Sequence, residues 1–154
     1  MNEVYNRLLI EGTPNQVEEI INFLKKGCEE NEVINFNNVI PLKPFEELPD
    51  DFFNKHSGCF NESDILHFYW GSYSNGYESN QDGNKITFWT RSCPCIKVMY
   101  RLGELFPNVI FHYGNTVGCG WDSIETHFIH GKEHYEEKID TQRDSDLYSE
   151  PVEE

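Results

Sequence analysis

The feature that most narrows what this chain can fold into lies near its start, where a short apolar stretch runs straight into a fully punctuated helix. From Tyr5 to Glu11, Leu8 and Ile10 alternate with Arg7 and Leu9, as a strand requires. Thr13 then supplies an N-cap oxygen. Pro14 suits the first helical position, where a missing N–H costs nothing, and Gln16 falls where a capping-box side chain reaches back to the cap. Val17, Ile20, Ile21 and Leu24 follow at the spacing of one helix face, and Gly27 can end the helix. That one-sided stripe has to be buried, and the adjoining strand is the nearest surface.

The next stretch has a different character. Residues 33–60 contain Pro41, Pro44 and Pro49, which forbid a long helix, so the reading is a short extended piece from Val33 to Val39 and then a surface excursion packed on the domain. Phe52 and Phe53 can staple that excursion down. Ile65 to Tyr69 reads as a strand and residues 71–84 as a polar loop. From Lys85 to Thr90, Ile86, Phe88 and Thr90 alternate with Thr87 and Trp89, the period of a sheet strand. A second helix is expected from Cys93 or Pro94, with Val98, Leu102, Leu105 and Phe106 facing the core and Pro107 stopping it. Gly103 weakens that helix by about 1 kcal/mol relative to Ala unless a close contact needs the missing side chain. Val109 to Tyr113 forms a strand, the glycines of 113–121 a turn or bulge, and Trp121 to Ile129 a longer strand. His130-Gly131-Lys132 turns into a last, polar strand.

Two helices separated by strands, with antiparallel hairpins, give an α+β sandwich: one antiparallel sheet with two helices on one face and a long irregular insertion. The economical closure is the ferredoxin-like split β-α-β arrangement. The expected organisation is a single domain over 1–139, with the insertion at about 37–83, and an acidic tail over 140–154.

Charge decides the classes of partner. Against 12 Lys and Arg stand 27 Asp and Glu, a net charge of −15. Residues 132–154 contribute −6 of this and the remainder of the chain −9, so the acidity is not confined to the tail. Neutralising phosphates needs clustered Lys and Arg, which excludes ordinary nucleic-acid backbone binding and argues against an anionic membrane surface. No apolar run approaches a transmembrane span, and the first residues lack the basic start of a signal peptide, so a cytoplasmic setting is expected. Five cysteines, an odd number, then read as reduced thiols.

Several phrases resemble the YubB-like ferredoxin-fold domain family of plasmid and bacteriophage proteins. Tyr5, Asn6, Leu8 and Gly12 match its opening strand, and Phe36, Asn37, Ile40 and Pro41 its next phrase. Trp70-Gly71 precedes a polar stretch as in the family. The strand and helix start read Phe88-Trp89-Thr90-Arg91-Ser92-Cys93-Pro94, where Thr90 and Pro94 agree but the family's tryptophan is absent. Leu102, Phe106-Pro107, Tyr113 and Gly118-Cys119-Gly120 complete the likeness, which spans about residues 4–135. The resemblance implies a fold and a mobile-element origin. It supplies no active site.

Chemistry-bearing clusters are sparse. Cys93-Pro94-Cys95 is the closest cysteine pair, with Cys59, Cys119, His112 and His127 elsewhere, but zinc signatures pair two such knuckles. Small core cysteines explain it as well. A helix start at Cys93 can lower a thiol pKa, although no histidine has a defined relation to it. His127, His130 and His134 lie near Glu125; on an alternating strand His127 and His130 point to opposite faces, whereas Glu125 and His127 share one and form a cross-strand polar surface. No phosphate loop, dinucleotide fingerprint or nucleophile elbow occurs. No cofactor or metal is expected.

The functional expectation is therefore a non-enzymatic, acidic binding protein of a phage or mobile element. It inhibits a host defence nuclease, in the manner of an anti-CRISPR protein, by blocking a basic nucleic-acid-binding surface; self-association is compatible with this. The expected partner-binding residues are Tyr69, Trp70, Tyr73, Tyr77, Glu78, Glu125, Glu133, Glu136 and Glu137. The alternatives are a small-ligand or nucleotide sequestering protein, with a pocket lined by Trp70, Trp89, Arg91 and Arg101, and a thiol- or metal-dependent enzyme.

Overall fold

Leu8 and Ile10 are completely buried because the strand carrying them, β1 (Glu3–Glu11), runs through the middle of the sheet. The computed structural model describes residues 3–56, 60–116 and 124–137. Five further strands are β2 (Tyr77–Asp82), β3 (Lys85–Arg91), β4 (Ile110–Thr116), β5 (Ile124–His130) and β6 (Glu133–Glu137). All neighbours pair antiparallel, in the order β2-β3-β1-β4-β5-β6. The α-helices are α1 (Pro14–Lys25), α2 (Asp50–Lys55), α3 (Glu62–Trp70) and α4 (Ile96–Leu105). The architecture is α+β, with an open six-stranded antiparallel sheet.

The core follows from strand alternation. Leu8 stands between Ile86 and Tyr113 in register, and Ile10 beside Phe111, so every second residue of β1, β3 and β4 meets one shared layer. Ile20, Ile21 and Leu24 of α1 and Val98, Met99 and Leu102 of α4 close that layer. Each fully buried side chain of this size contributes about 1.5–3 kcal/mol. Thr13 caps α1 as expected, its Oγ1 accepting from Gln16 N while Gln16 Oε1 accepts from Thr13 N. Gly27, at φ +71°, turns the chain away after Lys25.

Buried polar groups tie the three central strands to the start of α4. The hydroxyl of the fully buried Tyr113 donates to Asn6 Oδ1 at 2.5 Å and accepts from Cys95 N at 3.1 Å. Asn6 Nδ2 donates to Thr90 Oγ1 at 3.0 Å, and that hydroxyl donates in turn to Cys93 O at 2.9 Å.

Several expectations change. Ile65 to Tyr69 is not a strand: it lies within α3, where Asn61 and Asp64 form a reciprocal capping box and Gly71, at φ +88°, ends the helix. Five apolar residues carry too little periodicity to distinguish the two states, so the caps decide. Part of the expected polar loop is β2, an edge strand in which Ser79 is buried and the register slips between Tyr77 and Asn80. The piece from Val33 to Val39 contains a 3-10 turn at Phe36–Asn38. α4 starts at Ile96 with Cys95 as its cap residue, and Leu105 is partly exposed while Met99 takes a core position. The insertion contributes helices of its own, so the described residues hold four α-helices rather than two. It has its own aromatic centre: Phe52 is fully buried, with Phe53, Phe60 and Phe68 packed around its ring.

The acidic tail, Cys59, the Gly118-Cys119-Gly120 turn and the residues 121–123 expected to open a strand lie outside the described residues. Among the described residues no helix is long and apolar enough to cross a membrane.

Candidate functional site

The strand order splits the expected partner-binding residues into two groups. Tyr77 and Glu78 stand on β2 at one edge of the sheet, close in sequence to Tyr69, Trp70 and Tyr73, whereas Glu125, Glu133 and Glu136 stand on β5 and β6 at the other. Five strand spacings of ~4.8 Å separate the edges by about 24 Å. The side chain of Glu137 lies outside the described residues.

Within the first group the aromatics are largely occupied. Trp70 is 3% exposed, packs edge-on to Phe36 and donates its Nε1 hydrogen to Ile40 O at 2.9 Å, which corrects its assignment to the surface. Tyr73 is half-buried and stacked on His67 at 4.4 Å. Tyr69 is half-buried, and the hydroxyl of Tyr77 donates to Glu3 Oε1 at 2.5 Å. Glu78 remains exposed, in the left-handed region at φ +47°.

The insertion holds an aromatic that the sequence reading passed over. Phe45 is 56% exposed although its ring stacks on Phe60 at 5.7 Å, and it opens a 3-10 turn continued by Glu46 and Glu47. Asp50 and Asp51 follow in the first turn of α2, and all four acids are exposed. They have little compensation. Among the described residues the only carboxylate within 4.0 Å of an arginine or lysine is Glu104, which meets Arg101 at 3.8 Å across one exposed helix turn. Pro44 and Pro49 flanking an acidic stretch with one aromatic were the available signal.

The second edge carries a tighter cluster. His127 is 3% exposed, with Nε2 at 2.5 Å from Glu125 Oε1 and Nδ1 at 3.2 Å from the Tyr100 hydroxyl. Glu136 stands directly opposite His127 in the β5–β6 register, and the ligand atoms of Glu125, His127 and Glu136 lie within 4.8 Å of one another. Tyr100 also stacks on His134 at 3.7 Å. Burial first, then Glu136 and Glu125, raise the Tyr100 pKa and keep its hydroxyl protonated. Glu125 and His127 do share a face, but it is the face beneath α4, so the imidazole is buried rather than part of an open polar surface. His130 is exposed on the other face.

Among the described residues the thiols of Cys93 and Cys95 are held in their protonated form. Burial pushes Cys95 up to about 12, outweighing its contact with the Tyr113 hydroxyl, and burial also raises Cys93. The expectation that a helix start lowers a thiol pKa therefore fails, because desolvation dominates. The supposed ligand pocket does not assemble either. Trp70 is in the core, Trp89 lies on the opposite face of the sheet against Tyr5 at 5.1 Å, and Arg101 faces Glu104. A cleft of about 560 Å³ instead opens between α1 and the β2–β3 turn, bordered by Val17, Ile21, Lys25, Gln81 and Asn84.

No protein family, curated protein or solved structure matches this chain.

Proposed function

We propose that this chain is a non-enzymatic acidic binding protein that docks onto a basic, nucleic-acid-binding groove of a partner protein. In its concrete form it is an inhibitor carried by a phage or other mobile element and acting in the host cytoplasm on a defence nuclease. The observation that carries the reading is the exposed Phe45 set among the exposed carboxylates of Glu46, Glu47, Asp50 and Asp51, none of which lies within 4.0 Å of a lysine or arginine among the described residues. Such a patch repels nucleic acid and is drawn to a basic channel, where complementary potentials orient the encounter. Burying the phenyl ring on docking adds up to about 1.5–3 kcal/mol, which charge alone does not supply. The raised pKa values of the buried Cys95 and the half-buried Cys93 favour binding over thiol catalysis.

The fold supports the same reading indirectly. Within the sheet, β4-β1-β3-β2 is the strand order of a ferredoxin-like split β-α-β core, with α1 following β1, α4 linking β3 to β4, and β5 and β6 added as a hairpin. Together with the matching phrases, this order supports membership of the YubB-like family and a mobile-element origin.

The test is competition. A defence nuclease with a basic substrate channel, preincubated with the protein, should fail to bind its nucleic acid in a mobility-shift assay. Unchanged nucleic-acid binding across such nucleases would contradict the proposal. The cleft beside α1 favours a second reading, a small-ligand sequestering protein, which a low-molecular-weight species released on denaturing protein purified from its host would support.

A further inference from the structure

The cluster at the β5–β6 edge has a chemistry that protein docking does not use. Two carboxylates from adjacent strands converge on one buried imidazole, and among the described residues neither carboxylate pairs with a lysine or arginine. Like charges brought this close favour a cation between them. We infer that Glu125, His127 and Glu136 form a binding site for one divalent first-row transition-metal ion such as zinc or manganese.

The geometry is near to closed. An ion about 2.1 Å from each ligand atom holds those atoms roughly 3–4.2 Å apart, so the cluster, which spans up to 4.8 Å, must draw in while the Glu125 carboxylate backs away from its 2.5 Å contact with Nε2. Glu136 is exposed and can move, whereas His127 is fixed, buried beneath α4 with its ring stacked over Tyr113 at 6.0 Å. The side chain of Glu125 is 34% exposed, which leaves the ion a route in from solvent.

Tyr100 is the second observation. A metal-bound histidine needs a partner for its other ring nitrogen, which sets the tautomer and the ring orientation. The Tyr100 hydroxyl lies 3.2 Å from Nδ1 and both donates and accepts. Without an ion, Tyr100 donates to Nδ1 while Nε2–H donates to Glu125. With the ion, the imidazole takes its other tautomer: Nδ1–H donates to the Tyr100 oxygen and the Nε2 lone pair goes to the metal. His134, stacked on the other side of Tyr100, holds the phenol in place.

The donor set selects the class of ion. One imidazole and two carboxylates, without a thiolate, suit borderline ions better than copper(I), and three ligands are too few for calcium's six to eight oxygens. The exposed side of Glu136 leaves further positions to water. Such a site clamps β6 to β5 and lies at the sheet edge opposite β2, so it stands or falls independently of the Phe45 patch.

The test is a titration of the metal-free full chain with Mn²⁺, followed by electron paramagnetic resonance, with Zn²⁺ as competitor. One saturable Mn²⁺ site displaced by Zn²⁺ is expected. Glu136→Gln should weaken it at least tenfold, while Glu133→Gln, on the other face of β6, leaves it unchanged. Glu136 is exposed, so its variant stays folded even if a substitution at His127 does not. On Zn²⁺ addition, nitrogen-15 spectra should show the His127 proton moving from Nε2 to Nδ1. Absence of saturable binding of either ion, wild-type affinity in Glu136→Gln, or an unmoved His127 proton would overturn the site.

Discussion

Gly103 of α4 lies so close to Ile129 of β5 that a methyl group at position 103 would stand 2.4 Å from Ile129 Cγ2 and 3.0 Å from the carbonyl oxygen of Gly131. Glycine inside a helix ordinarily costs about 1 kcal/mol relative to alanine, and here the missing side chain is what lets the helix rest on the sheet. Gly103→Ala is therefore expected to destabilise the protein by roughly 1–3 kcal/mol, despite its better helix propensity. Thermal unfolding of the variant measures this, and a raised melting temperature would contradict the close packing.

Tyr113→Phe removes one oxygen and strands two partners. Asn6 Oδ1 loses its donor and Cys95 N loses its acceptor, both in the core. Leaving buried polar groups unsatisfied costs about 1–3 kcal/mol, so the variant should unfold at clearly lower urea with an unchanged slope.

Cys95 should be the least reactive of the described thiols. With its pKa pushed up to about 12, the thiolate fraction at pH 8 is on the order of 10⁻⁴, and the side chain is fully buried. Alkylation of the native protein followed by mass spectrometry should label Cys28 and Cys93, both partly exposed, well before Cys95. The sign of the linked stability follows. The folded thiol keeps its proton while the unfolded one releases it near 9.0, so this contribution is intact below pH 9 and is lost as the pH rises towards 12.

Removing residues 140–154 should leave partner binding in place. The proposed docking patch lies at Phe45 to Asp51, and the remaining chain stays strongly acidic. Comparing the affinity of the truncated and full-length proteins for the same nuclease decides this; loss of binding on truncation would move the interaction to the tail.

Local signals made β1 and α1 legible, because Thr13, Pro14 and Gln16 act within one turn of chain. The same box chemistry at Asn61 and Asp64 marks α3, but an apolar pentapeptide beside it imitates a strand. β2 escaped notice because an edge strand buries little, here chiefly Ser79. The sites suffered most, since they depend on non-local geometry. Alternation alone places Glu125 and His127 on one face, whereas Glu136 joins them only through the register set by the turn at Gly131, φ +64°, and Tyr100 only through helix packing. The strand order likewise sends residues grouped by composition to opposite edges.

Docking through the acidic patch around Phe45 is read out by a salt titration. The affinity of the full chain for a defence nuclease with a basic channel would be measured at low and high salt, beside a variant carrying Glu46→Lys, Glu47→Lys, Asp50→Lys and Asp51→Lys. Binding is expected to weaken steeply with salt in the wild type and to fall at least tenfold in the variant at low salt. Equal affinity of the two proteins, or binding indifferent to salt, would contradict docking through this patch.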